Sequence, residues 1–84
     1  MTREDMIRLL GQWIGEITEK APPKLGPDTD LTKDLSLDSL SLAELGARLR
    51  THCQVRIRPG EMAHNLKVGA LIDLIEDKLR HKEN

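Results

Sequence analysis

An aspartate and a serine stand where a polar segment of the chain gives way to a helical pattern. Asp38 and Ser39 follow a stretch rich in Pro, Gly, Asp and Thr, and apolar residues then recur at helical spacing. A serine at a helix start has an exposed hydroxyl beside backbone N–H groups that lack partners within the helix. Because the helix dipole is positive at this end, a phosphate group attached to Ser39 would be electrostatically favoured.

The same residues also have a purely structural explanation. Asp and Ser are among the commonest N-cap residues, and Ser41 with Glu44 has the spacing of a capping box. Since such caps begin most helices, local chemistry by itself favours the structural explanation. Asp38 and Ser39 could cap the helix or present an anion-bearing group.

Helical periodicity also dominates the first quarter of the chain. A first amphipathic helix is predicted over residues 2–20, with Thr2 and Asp5 as its capping signal. The two prolines that follow end it, because proline lacks an N–H and disfavours helical angles in the residue before it. The connection over residues 21–37 exceeds ordinary loop lengths. We expect it to be ordered and held against the helices by three spaced leucines: Leu25, Leu31 and Leu35.

Three further helical segments follow. The second helix is predicted from Asp38 or Ser39 to Thr51, and residues 59–64 suit one short helical turn with proline near its start. Asn65 is predicted to cap a last helix. The predicted fold is all-α, a small bundle of three main helices plus one short helix. Three basic residues are expected to complement the dipole at the last helix end: Lys78, Arg80 and Lys82.

Composition limits the classes of function. The 84 residues, 38% hydrophobic and 32% charged, are typical of one soluble domain over residues 1–84 that is too small for a deep catalytic cleft. Thirteen basic and fourteen acidic residues, with Trp13 the single aromatic residue, argue against nucleic-acid binding. The sequence shows no signal peptide or membrane-spanning segment and one cysteine, Cys53, so a cytoplasmic protein is expected.

Catalytic and metal sites are not expected. Ser39 lacks the Gly-x-Ser-x-Gly context of a hydrolase nucleophile. Adjacent His52 and Cys53 have no second pair of metal ligands. The three histidines are not placed in a recognisable catalytic motif with this serine: His52, His64 and His81.

Residues 27–40 read Pro-Asp-Thr-Asp-Leu-Thr-Lys-Asp-Leu-Ser-Leu-Asp-Ser-Leu. This stretch resembles the acyl carrier protein family, whose hallmark is Asp-Ser-Leu at the start of the second helix. The resemblance extends to Val68-Gly69 and Ile72-Asp73 and to the order of the helices, so it covers nearly the whole chain. It implies a covalent 4'-phosphopantetheine on Ser39, with Asp38 and Leu40 as the supporting motif.

The resemblance also implies how such a protein is used. A phosphopantetheinyl transferase would attach the arm from coenzyme A. The thiol of the arm would then present an acyl thioester to partner enzymes such as a ketosynthase or an acyl ligase or transferase, in a fatty acid, lipid or polyketide pathway. The chain itself would be a monomer that catalyses nothing. An apolar slot between the second and third helices would be bordered by Leu40, Leu45 and Met62. The alternative, which is favoured for each of them taken singly, is ordinary core packing.

The charge pattern departs from that family. Its members in fatty acid synthesis usually have an acidic second helix that docks on basic patches of their partners. Residues 39–58 here contain one acid, Glu44, and four arginines, a net charge of 4 − 1 = +3, whereas residues 28–38 contain four acids and one lysine. We hypothesise a specialised carrier with dedicated partners. The alternative is that the arginines only solvate the surface: Arg48, Arg50, Arg56 and Arg58.

Two other functions remain open. Peptidyl carriers more often have a glycine pair ahead of the serine, which Leu35-Ser36-Leu37 lacks. An acyl load is therefore favoured over an aminoacyl one, although D-alanyl carriers also use Asp-Ser contexts. A non-covalent helical adaptor would share every bulk feature of the chain, and only the context of Ser39 argues against it.

Overall fold

Four α-helices form the framework of the computed structural model, which describes residues 2–81. In chain order they are α1 (Arg3–Thr18), α2 (Ser39–Cys53), α3 (Pro59–His64) and α4 (Val68–Arg80). The described residues contain no β-strand, only an isolated bridge between Asp30 and Lys67. The predicted all-α bundle of three main helices and one short helix is confirmed. The expected contribution of Lys82 to the dipole of α4 lies outside the described residues.

α1 begins as its local sequence dictates and ends slightly early. The Thr2 hydroxyl accepts from the Asp5 N–H at 3.1 Å, and the Asp5 carboxylate accepts from the Thr2 N–H at 3.3 Å, which confirms the predicted cap. The helix ends at Thr18, because Glu19 adopts a left-handed conformation with φ 59° and its N–H donates to the Glu16 carbonyl. The two prolines, Pro22 and Pro23, therefore lie after the end of the helix and are not what ends it.

The core is built from aliphatic side chains and Trp13. All four helices contribute to it, and so do the loops on either side of α2. Close packing of such side chains is the dominant stabilising term in a domain of this size. The buried hydrophobic residues are Met6, Leu10, Trp13, Ile14, Leu31, Leu37, Leu45, Leu49, Val55, Met62, Val68, Leu71, Ile72 and Ile75.

The long loop between α1 and α2 is held by its leucines, as predicted. Leu31 is 0% exposed in the core, and Leu25 and Leu35 are half-buried against it. Leu37, which the sequence did not single out, is also buried just before α2 begins. The loop is therefore anchored at several points between the two helices.

Backbone hydrogen bonds join this loop to the chain around the start of α4. They satisfy N–H groups that would otherwise lack partners as the loop packs against the helices. Because these bonds cross between distant parts of the sequence, they position the segment that leads into α2 relative to α4. Each of the three bonds is 2.9 Å long: Leu31 N–H to Leu66 O, Val68 N–H to Thr29 O, and Gly69 N–H to Pro27 O.

The predicted cap of α4 at Asn65 is wrong. α4 begins at Val68 with Lys67 as its N-cap, and no side chain caps it. The loop supplies an acceptor instead, since the Val68 N–H donates to the Thr29 carbonyl. Asn65 closes α3, where its side-chain amide donates to the Glu61 carbonyl at 2.8 Å.

We expect Leu31→Ala to lower the free energy of unfolding by about 2–5 kcal/mol, because truncating a fully buried leucine leaves a cavity. Leu40, which is 69% exposed, offers the matched control. Leu40→Ala is expected to change the same quantity by less than about 0.5 kcal/mol. Urea unfolding followed by circular dichroism measures both, and equal losses would contradict the anchoring role of Leu31.

Candidate functional site

The N-terminus of α2 is capped by Asp38. Its carboxylate oxygen Oδ1 accepts from the Ser41 N–H at 2.8 Å, and its carbonyl accepts from the Leu42 N–H at 2.9 Å. The predicted start of the helix is therefore confirmed. The predicted capping box of Ser41 and Glu44 is wrong, because Ser41 lies inside the first turn and its N–H is already taken by Asp38.

This cap also holds the charge of Asp38. The hydrogen bond from the Ser41 backbone N–H, followed by one from the Ser41 hydroxyl, lowers the pKa of the Asp38 carboxyl below its ordinary value of 3.8. A carboxylate at a helix N-terminus is also favoured by the dipole. Asp38 is therefore ionised at neutral pH.

Ser39 is the first residue of α2, and its side chain is exposed. Because Asp38 is the N-cap, the Ser39 hydroxyl does not have that role. Leu40 follows it and is also exposed. The Ser39 hydroxyl and the apolar side chain of Leu40 are thus both exposed at the N-terminus of α2.

A groove of about 710 Å³ between α2 and α3 includes Ser39 in its wall. The α2 wall continues at the three- and four-residue spacing of one helix face: Leu42, Ala43, Gly46, Ala47, Arg50 and Thr51. The segment after α2 and α3 itself supply the facing side: Ile57, Pro59, Met62 and Ala63. The volume is in the range of small-molecule pockets, about 300–1,000 Å³.

The apolar slot expected between the second and third helices corresponds to this groove, but only one of the three residues expected to border it lines it. Met62 lines the groove, as predicted. Leu40 faces solvent and Leu45 is fully buried in the core, so neither lines it. The signal that would have found the wall is the stripe of residues counted in threes and fours from Ser39, whose small members Ala43, Gly46 and Ala47 leave room.

The four arginines of residues 39–58 have different surroundings. Arg48 pairs with Glu16 on α1 and is half-buried. Arg50 and Arg56 line the groove where α2 ends, and neither has an ion pair within residues 2–81. Arg58 is exposed just before α3. Two of the four arginines that make this segment basic therefore line the groove.

The loop acids are hydrogen-bond acceptors within the loop. Asp30 Oδ1 accepts from the N–H groups of Thr32 at 2.9 Å and Lys33 at 2.8 Å. These contacts, the Lys33 N–H foremost, lower the pKa of the Asp30 carboxyl. Asp34 in turn accepts from the Asp30 N–H at 2.8 Å. These two carboxylates stabilise the loop that leads to α2.

Residues that could support other chemistry are packing groups. Trp13 is buried, with its ring centroid 5.3 Å from that of His52. Cys53 is half-buried against the core. No set of three or more His, Cys, Asp or Glu side chains in residues 2–81 is arranged to hold a metal ion. Over the same residues, none of the helices has the length and apolar character needed to cross a membrane.

The stabilising contribution of the Asp38 charge is expected to depend on pH. Because folding lowers its pKa, this contribution is fully present above about pH 4 and is lost as the pH falls through the folded-state pKa. Asp38→Asn keeps a neutral cap acceptor. The melting temperature of the native chain should therefore exceed that of this variant at neutral pH and converge with it in acid.

Asp28→Asn is the control for net charge, since the Asp28 carboxylate accepts no hydrogen bond within residues 2–81. Melting curves recorded by circular dichroism between neutral pH and about pH 2 compare the three proteins. A difference between the native chain and Asp38→Asn that stays constant over this range would contradict a charged cap.

Most of the chain matches one known protein family. The family described as "Phosphopantetheine attachment site" matches residues 8–75. The acyl carrier protein of Rhodococcus erythropolis is 29% identical over 75 residues, which cover 89% of this chain and 82% of that protein.

Two meromycolate extension acyl carrier proteins are similarly related. That of Mycobacterium leprae is 28% identical over 90% of this chain and 66% of its own length. That of Mycolicibacterium smegmatis is 29% identical over 89% of this chain and 76% of its own length. Together with the helical bundle and the family match over most of the sequence, these relatives show that the chain belongs to the acyl carrier proteins, a family defined by covalently attached 4'-phosphopantetheine.

Proposed function

We propose that this chain carries acyl groups on a 4'-phosphopantetheine esterified to the Ser39 hydroxyl. The observation that carries the proposal is the position of Ser39, exposed at the first residue of α2 and in the wall of the groove. Asp38 already caps the helix, so modification of Ser39 removes no hydrogen bond on which the helix start depends. A phosphopantetheine group fits the residues present.

The start of α2 favours the phosphodiester of such a group electrostatically. The first N–H groups of the helix and its dipole attract an anion. The carboxylate of Asp38 is partly compensated by the N–H of Ser41, which it accepts at 2.8 Å. Leu40, exposed beside the serine, supplies an apolar contact for the transferase that modifies it.

When bound, the group supplies a thiol on a flexible arm, which holds the acyl group as a thioester. The residues of the chain do the rest. The apolar groove along α2 shields an acyl chain from water, and the attachment keeps it at a high effective concentration for each partner enzyme. The chain itself catalyses no reaction, and residues 1–84 act as one carrier domain.

A specialised lipid pathway is supported by two independent observations. Relatives of this chain include proteins named for meromycolate extension. The segment of residues 39–58 has a net charge of +3, and Arg58 on it is exposed outside the lining of the groove. We infer partner enzymes with acidic docking surfaces, because opposite charges speed encounter and like charges disfavour the wrong partner.

Incubation with coenzyme A and a promiscuous phosphopantetheinyl transferase is expected to add the mass of one phosphopantetheine group, and Ser39→Ala should abolish the addition. Since Asp38 is the cap, we expect Ser39→Ala to change the free energy of unfolding by less than about 0.5 kcal/mol. Intact-protein mass spectrometry and urea unfolding measure the two effects.

Ser41→Ala is the matched control, because Ser41 lies in the same helical turn and should not affect loading. Absence of any added mass on the native chain would favour the non-covalent adaptor. An addition that persists in Ser39→Ala would place the arm elsewhere. Loading of the modified chain by aminoacyl but not acyl ligases would favour an aminoacyl carrier.

Transfer of an acyl group from the loaded chain to a ketosynthase of housekeeping fatty acid synthesis is expected to be slow at ordinary salt, because both surfaces are basic. Arg58→Glu should raise the rate several-fold through faster encounter, and added salt should reduce the gap between the two proteins. Steady-state transfer rates measure this. Efficient transfer by the native chain at ordinary salt would argue against dedicated partners.

A further inference from the structure

The groove has chemically different ends. Ser39 lies at the start of its α2 wall and Arg50 near the end, eleven residues later, which is about 16 Å along the helix axis. Between them the wall is apolar and small, with Ala43, Gly46 and Ala47. Arg56, from the segment after α2, joins Arg50 in the lining.

These two guanidinium groups have no counter-ion within residues 2–81. Arg48 on the same helix is different, since Glu16 pairs with it. Two unpaired arginines from neighbouring elements, both in the lining of one cavity, can hold a carboxylate through several charge-assisted hydrogen bonds. The groove thus combines an apolar wall with two arginines that have no ion pair in the described residues.

We propose that the groove selects acyl groups that carry a carboxylate at their far end, the half-thioesters of dicarboxylic acids. The methylene chain lies along the apolar wall, and the terminal carboxylate is held by Arg50 and Arg56. This proposal rests on the proposed attachment to Ser39. It gives a substrate class to a chain whose sequence indicated only an acyl load.

The position of the arginines favours the cargo over a partner protein as the anion. Arg50 and Arg56 are exposed, but both line the groove together with apolar residues such as Ile57, so a carboxylate at the end of a chain that follows this wall lies beside them. Arg58 does not line the groove and is exposed, so a partner surface can contact it without entering the groove. The two basic features therefore have separate roles.

The test uses the full chain loaded by a phosphopantetheinyl transferase from acyl-coenzyme A, which releases adenosine 3',5'-bisphosphate. Glutaryl, adipyl and suberyl groups are compared with pentanoyl, hexanoyl and octanoyl groups of matched carbon number. For at least one length, the carboxylated form is expected to melt about 4 °C higher than its methyl-ended counterpart at low salt. The difference should shrink at high salt.

The double variant Arg50→Gln/Arg56→Gln is expected to lose this difference, and Arg58→Gln, which removes a nearby charge outside the groove, should keep it. In the native chain, the guanidinium Nε–H resonances of Arg50 and Arg56 should shift with the carboxylated cargo alone. Equal melting temperatures at every length, or a difference that survives in the double variant, would overturn the proposal.

Two further outcomes are distinguishable from these. If the double variant changes only the rate of transfer to a partner, the arginines face that partner and the cargo proposal is overturned. If mass spectrometry shows no group on Ser39, the proposed function fails before any melting curve is measured, and the cargo proposal falls with it. A group on Ser39 without a carboxylate effect overturns the cargo proposal alone.

Discussion

The burial of Leu31 is the constraint on which the site depends. Ordering the long loop between α1 and α2 costs backbone entropy, and a polar loop has few apolar contacts to offset that cost. Burial of Leu31 and Leu37 offsets part of it, and three backbone hydrogen bonds join the loop to the chain around the start of α4. Ser39 has a defined position because both buried side chains and backbone hydrogen bonds hold the loop that leads to it.

The acidic residues of the loop and the arginines of residues 39–58 have different surroundings. Asp30, Asp34 and Asp38 accept backbone N–H groups, so their charge is part of the local fold. Arg50 and Arg56 have no such partner in the described residues, so their charge is available to another molecule. The acidic residues of the loop therefore stabilise the local fold, whereas two of the arginines line the groove without an ion pair in the described residues.

One face of α2 packs in the core and another lines the groove. Leu45 and Leu49 face the core and are fully buried, whereas Ala43, Gly46 and Ala47 line the groove. Met62 from α3 reaches both, since it is buried and also lines the groove. Small residues on one face and leucines on the other allow a single helix to stabilise the bundle and leave space for the groove beside it.

The sequence by itself determined the helices, the anchored loop and the candidate residue Ser39, because periodicity, prolines and capping residues act over a few positions. It could not determine that Asp38 alone caps α2, that Thr29 rather than Asn65 satisfies the start of α4, or which residues line the groove. Those outcomes depend on contacts between segments far apart in the chain. Only the tertiary structure shows that Arg50 of α2 and Arg56 of the following segment line the same groove, because the lining depends on how that segment and α3 pack against α2.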